Sequence, residues 1–200
     1  MALLGSCKIH EDVPLAEYAA DAILKLEPGN ASVYVLLSNI YAASGLHKKR
    51  ENLQKLMLER GIKRKQGRSY IEVNGEVHEF VCGDKGHPWT EEIYKRLNSL
   101  VEEMKAAGYK PDRLSVFQPM DDNEMEGILC NHSEKLAIAF GLISTPPKTT
   151  LHIANNLRVC VDCHNATKCI SRIVERKIIV RDANCIHCFK DGVCSCQDMW

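Results

Sequence analysis

His132 with Glu134 two residues on, and Cys160 with Cys163 three residues on, offer three soft metal ligands and one carboxylate that need not ligate. One imidazole and two thiolates leave the fourth position of a zinc ion for water, and an open position separates catalytic from structural zinc. Zinc brings the pKa of such a water near neutrality. Glu134 is close enough to His132 to take the water proton and return it to a substrate. His-x-Glu followed by Cys-x-x-Cys is the general signature of zinc nucleobase deaminases, which carries a proline before the first cysteine; here Val159 stands at that position. The competing use of these residues is a closed four-ligand site that includes Glu134 or a neighbouring thiol. Structural sites rarely combine the two half-motifs.

A second ligand set follows. His164 adjoins Cys163, and His187 with Cys194-Ser195-Cys196 lies near the end of the chain, together two imidazoles and two thiolates for a tetrahedral metal. A closed site has no room for substrate, so this one would fasten the tail to the helix carrying Cys163. Cys185 and Cys188 are also available to it. The remaining candidates read as packing or surface residues: Cys7, Cys82, Cys130 and Cys169 as small hydrophobes or spare thiols, and His10, His47, His78, His87 and His152 as surface or core histidines.

The elements that position these groups follow from hydrophobic period. Leu15 to Leu26, Val33 to Ala43 and Lys48 to Glu59 have helical spacing, separated by Glu27-Pro28-Gly29-Asn30 and by Gly45, and closed by Arg60-Gly61. Leu26, Pro28 and Asn30 followed by Tyr34, Leu36, Asn39, Tyr41 and Gly45 suggest a tetratricopeptide-type unit, which implies further repeats upstream. Ser69 to Val73 and Glu76 to Val81 alternate at period two around Asn74-Gly75, a hairpin signal. Ile93, Leu97, Leu100, Val101 and Met104 mark a helix ending at Ala107-Gly108. Lys110 to Gly127 has no period; its Asp121, Asp122, Glu124 and Glu126 suggest an acidic lid. Beyond it, His132 to Ile143 and Cys163 to Glu175 read as helices, and Thr149 to Ile153 and Lys177 to Val180 as strands. The order helix, strand, helix, strand implies parallel neighbours covered by helices. Both metal half-motifs then sit at helix starts, where free N–H groups and the positive dipole end favour thiolates.

Twenty-six basic and 26 acidic side chains cancel, so the chain as a whole does not resemble a strong nucleic-acid binder. Its cations gather between Lys48 and Arg68, as a strip for phosphates or as a solvated face. Ten cysteines without a secretory signal or a transmembrane run fit metal binding in a reducing compartment. Met1 runs directly into apolar residues with no cap, so the start reads as a cut within a longer protein whose targeting segment is missing.

The residues carry a further resemblance. Leu36-Leu37-Ser38-Asn39-Ile40-Tyr41-Ala42, Gly67-x-Ser69-x-Ile71-Glu72, the run from His132 to Gly141, Asn156 to His164, and Cys194-Ser195-Cys196 resemble the C-terminal portion of plant organellar pentatricopeptide repeat RNA editing factors of the DYW class. The likeness covers nearly the whole chain. It implies an α/β fold with a cytidine-deaminase-like mixed sheet covered by helices, preceded by a small α-helical, tetratricopeptide-like extension. In that reading residues 1–63 are the E1/E2 extension and 64–200 the DYW deaminase domain, with a PG-box hairpin (64–82), an insertion that gates access (84–127) and a zinc-bound tail (185–200).

The resemblance implies C-to-U conversion in single-stranded RNA of a chloroplast or mitochondrion, at sites selected by upstream pentatricopeptide repeats of the same chain, with other editing factors as further partners and no membrane. Two zinc ions are implied: a catalytic one on His132, Cys160 and Cys163 with Glu134 as proton shuttle, and a structural one on His164, His187, Cys194 and Cys196. The chain departs from the family at Gln66 and Tyr70, where the PG box has proline and tryptophan, at Cys185 and Cys188, in place of arginine and a second histidine, and at Met199, in place of the tyrosine of Asp-Tyr-Trp. None of these is an implied ligand. A zinc-binding adaptor that works through an active partner, and amination of uridine at the same site, are the other functions these residues allow.

Overall fold

The structure, a computed structural model, describes residues 1–63, 65–112, 127 and 129–199. They form two compact units, one of residues 1–65 with 199 and one of residues 66–198.

The first unit is helical: α1 (Ala2–Ile9), α2 (Val13–Leu26), α3 (Ala31–Ala43) and α4 (His47–Glu59). Asp12 and Asn30 cap α2 and α3 by accepting the N–H groups of Leu15 and Ser32, satisfying donors that a helix start leaves free. Gly45 and Gly61, at positive φ, follow the ends of α3 and α4. Leu4, Ala16, Ala20, Val33, Leu37 and Ile40 form the core. The sequence reading has no counterpart of α1, since Met1 supplies no side-chain cap. In the basic strip Lys48, Lys55, Lys63 and Lys65 are exposed, while Lys49 pairs with Glu17 and Arg60 donates to Tyr34 Oη.

The second unit is built on a six-stranded sheet in the order β2-β1-β3-β4-β5-β6. Its strands are β1 (Arg68–Val73), β2 (Glu76–Val81), β3 (Leu151–Asn155), β4 (Ile178–Arg181), β5 (Ile186–Lys190) and β6 (Val193–Cys194), and its helices are α5 (Thr90–Ala106), α6 (Ser133–Ser144) and α7 (Val161–Ile173). The mixed sheet is that of an α/β deaminase-like fold. The expected parallel pairing occurs once, between β3 and β4 across α7; the other pairs are antiparallel. The hairpin turns at Asn74 and Gly75, both at positive φ, as its backbone requires.

Three differences from the sequence reading bear on the site. β3 runs two residues later than the apolar spacing suggests, because a turn closed by Thr149 N–H on Pro146 O holds the chain back. Asn155 thereby ends the strand. α7 begins at Val161 because Cys160 caps it. β5 and β6 lie in the stretch read only as ligands; alternation along β5 buries His187 and Phe189 and turns Cys188 to the other side. The acidic segment 110–127 read as a lid, and with it much of the 84–127 insertion, lies largely outside the described residues, as do Arg64 and Trp200.

α6 is the central element, with Ser133 through Gly141 all buried. It approaches the sheet so closely that a Cβ on Gly141 would stand 2.7 Å from Ile71 Cδ1 and 3.0 Å from Leu151 Cδ2. Only glycine fits there without displacing core side chains. Ile93, Leu97, Leu100 and Met104 on α5 join the same core.

Candidate active site and metal centres

His132 is the N-cap of α6 and Cys160 the N-cap of α7. His132 Nδ1 lies 3.3 Å from Cys163 Sγ and 3.5 Å from Cys160 Sγ, and the three donor atoms fall within 4.8 Å of one another. Cys163 N–H points at Cys160 Sγ from 3.3 Å. The Cys160 thiol is held well below its ordinary range by its hydrogen bond with Cys163, against the effect of burial, with His132 adding to the same side. A nitrogen and two sulfurs, one already inclined to ionise, suit a zinc ion.

Glu134, on the first turn of α6, is buried beside this set. Its Oε1 accepts from Asn155 Nδ2 at 2.6 Å and its Oε2 from Ser133 Oγ at 3.2 Å. Ser133 Oγ in turn accepts from Ser69 Oγ of β1 at 2.9 Å. The carboxylate is thus fixed in one orientation, and each oxygen keeps a lone pair. Burial, reinforced by the neighbouring Cys160, pushes its pKa up, the direction that suits a proton carrier near neutrality.

The second set is closer-knit. His164 Nε2 lies 3.2 Å from Cys196 Sγ, the sulfurs of Cys194 and Cys196 are 3.2 Å apart, and Cys194 Sγ is 3.7 Å from His187 Nδ1. All four donors lie within 4.8 Å of one another. The outer nitrogens face carboxylates: His187 Nε2 stands 3.3 Å from Asp182 Oδ2 and His164 Nδ1 3.6 Å from Asp198 Oδ1. A carboxylate only accepts, so the tautomer with its proton on Nε2 satisfies Asp182 and turns the lone pair of Nδ1 to the thiols, as a metal-binding histidine requires. Burial works against the charge of Asp182, yet hydrogen bonds from His187 and from the N–H groups of Val159, Asn184 and Cys185 hold its pKa below the usual range. Cys185 and Cys188 do not join the cluster.

These contacts, with a buried ion pair between Lys135 and Asp162, supply residues to which the sequence reading gave no role: Asn155, Ser69, Lys135, Asp162 and Asp182. Gln66, where the resemblance implies proline, contributes its backbone carbonyl to Asn156 Nδ2 at 3.0 Å, a bond that proline would make equally well. A cavity of about 640 Å³ between the hairpin and the start of α5 is lined by His78, His87, Trp89 and Phe140 among others. Neither Glu134 nor any of the seven donors borders it.

A family model described as the DYW family of nucleic acid deaminases matches residues 108–200, a range that contains Glu134 and both ligand sets. The chain carries a DYW deaminase domain. The E motif matches 10–72 and the E+ motif 77–104, so the three accounts together run almost from end to end. Similar proteins include two pentatricopeptide repeat-containing proteins of Arabidopsis thaliana named as chloroplastic. One is 48% identical over 198 residues, 99% of this chain and 22% of its own length; the other is 50% identical over 198 residues, 99% and 27%. A third, from the same plant, is 48% identical over 198 residues, 99% of this chain and 25% of its length. The DYW chain thus spans about a quarter of the length of these relatives. Among the described residues, no helix is long and apolar enough to cross a membrane.

Proposed function

We propose that this DYW chain deaminates cytidine to uridine hydrolytically in single-stranded RNA of a plant organelle, at positions selected by pentatricopeptide repeats preceding it in the full protein. The observation that carries the reading is the buried, oriented carboxylate of Glu134 beside the His132, Cys160 and Cys163 donors. Similarity to pentatricopeptide repeat proteins supports RNA as the substrate, since such repeats read successive bases of a single strand. The neutral overall charge agrees with a domain that leaves affinity to those repeats.

His132, Cys160 and Cys163 fit a zinc ion by donor type and convergence. Zinc held there supplies Lewis acidity and an activated water. Glu134 takes a proton from the attacking water and delivers it to N3 of the ring as oxygen adds at C4, then carries the remaining proton of that oxygen to the exocyclic amine, so that the C4 carbonyl forms as the C4–N bond breaks and ammonia leaves. Asn155 and Ser133 keep the carboxylate aimed throughout. His164, His187, Cys194 and Cys196 hold a second, structural zinc, which anchors the tail to α7.

The test is C-to-U conversion in an RNA tethered to the chain through a repeat tract of known target, with the native chain compared with Glu134→Ala. Conversion by the native chain that drops at least about 100-fold in the variant supports the assignment. No conversion by the zinc-loaded native chain would point instead to an adaptor that needs an active partner.

A further inference from the structure

Asp182 follows β4 and stands between the two ligand sets. Its Oδ2 accepts both from Val159 N–H, at 2.9 Å, and from His187 Nε2, at 3.3 Å. Its Oδ1 accepts from the N–H groups of Asn184 and Cys185, each at 2.7 Å. Four donors on two oxygens leave a fully buried side chain no freedom to turn. Val159 immediately precedes Cys160, so one carboxylate oxygen holds the backbone next to a ligand of the first set and the imidazole of a ligand of the second. The general deaminase signature has a proline at this position, and proline has no N–H to donate. This bond exists because the residue is Val159. A second tie lies in the chain itself: the neighbours Cys163 and His164, on the first turn of α7, serve different sets.

We propose that Asp182 is a positioning residue that joins the two ligand sets, so that filling the tail set tightens the hold of His132, Cys160 and Cys163 on their own metal. The inference rests on the zinc reading of both sets given above. A cation on His187 Nδ1 polarises Nε2–H and fixes the ring, which fixes Asp182 and with it the backbone at Val159 that presents Cys160. The effect is reciprocal: each set, when filled, favours the other by the same factor.

Cobalt(II) binding by the metal-free whole chain, followed through its thiolate charge-transfer absorption, tests this link. Cys194→Ser with Cys196→Ser empties the tail set and isolates the first; Cys160→Ser disables the first and isolates the tail. Each emptied set should lower cobalt affinity at the other about 10-fold. Asp182→Asn keeps the shape but offers one acceptor oxygen, and should weaken both sets about 10- to 100-fold. Val159→Pro removes this donor and replaces a buried core side chain; it should abolish the mutual dependence and leave unchanged the tail affinity measured with the first set empty, with far-UV circular dichroism verifying the fold of each variant. Equal affinities with the other set full or empty would overturn the proposal, as would an Asp182→Asn effect confined to the tail. A native chain that takes cobalt in the tail set alone would instead sink the zinc reading of the first set, and the link with it.

Discussion

Lys135 Nζ lies 2.6 Å from Asp162 Oδ2, with both side chains almost wholly out of solvent. Lys135 follows Glu134, and Asp162 sits between Cys160 and Cys163, so this ion pair clamps the two half-motifs together behind the donor atoms. Its remaining valences are filled. Lys135 donates to Leu129 O at 2.9 Å, and Asp162 Oδ1 accepts from Tyr109 Oη at 2.6 Å and Asp112 N–H at 2.8 Å. Burial disfavours the ammonium, but Cys163 and Asp162 raise its pKa above the ordinary range.

Removing one partner strands the other charge in the interior. Lys135→Met or Asp162→Leu alone should destabilise the second unit by about 3–5 kcal/mol. The double variant should cost less than either single one, because an apolar pair leaves no unpaired charge. Urea unfolding of the four proteins gives the interaction energy; additive losses would show that the clamp is not a pair.

Gly141→Ala should cost about 1–3 kcal/mol through overpacking against Ile71 and Leu151. Ile71→Val deletes the Cδ1 atom that stands 2.7 Å from the added Cβ and should recover part of that loss. The pair of substitutions would then be less damaging than their sum in thermal melts. No recovery would mean that the backbone, not Ile71, resists the methyl group.

Zinc content should be two ions per chain, falling to one in Cys160→Ser and to one in Cys194→Ser with Cys196→Ser. Cys188→Ser should leave it at two, since β5 turns Cys188 away from His187. Metal analysis after exhaustive dialysis decides. A loss of zinc in Cys188→Ser would place that thiol among the ligands.

In the helical unit, hydrogen bonds from Lys49 and Tyr41 hold the Glu17 carboxyl below its usual range. A depressed carboxylate stabilises the folded state fully above the unfolded pKa, near pH 4, and loses that contribution as pH falls through the lower folded value. Lys49 is half exposed, which keeps the contribution to at most about 1 kcal/mol. Glu17→Gln should therefore lower Tm slightly at pH 7 and make no difference in strong acid. An equal difference at both pH values would mean that the ionised group contributes nothing.

The legibility of this chain divides by distance along the sequence. Period and capping made most helices and the hairpin readable, since these depend on residues a few positions apart. β5 was hidden by its own chemistry: Ile186-His187-Cys188-Phe189 alternates as a strand does, but its histidine and cysteine drew attention as ligands. Donor types and spacing marked His132, Cys160 and Cys163 as candidates, whereas their convergence depends on α6 and α7 starting side by side. Asn155, Lys135 and Asp182 carried no local signal. The partners that give them these roles, Glu134, Asp162 and Val159, lie 21, 27 and 23 residues away, and only the fold brings those together.

The β3-α7-β4 crossover also bears on how the chain assembles. Every candidate donor except His132 lies between Cys160 and Cys196, on a crossover and the antiparallel strands that follow it, whose contacts close short loops. β1 must instead reach β3 across more than eighty residues to bring Ile71 beside Ile153, the slower kind of closure. The cysteine-rich end of the protein can therefore gather its thiols early in folding, before the hairpin completes the sheet.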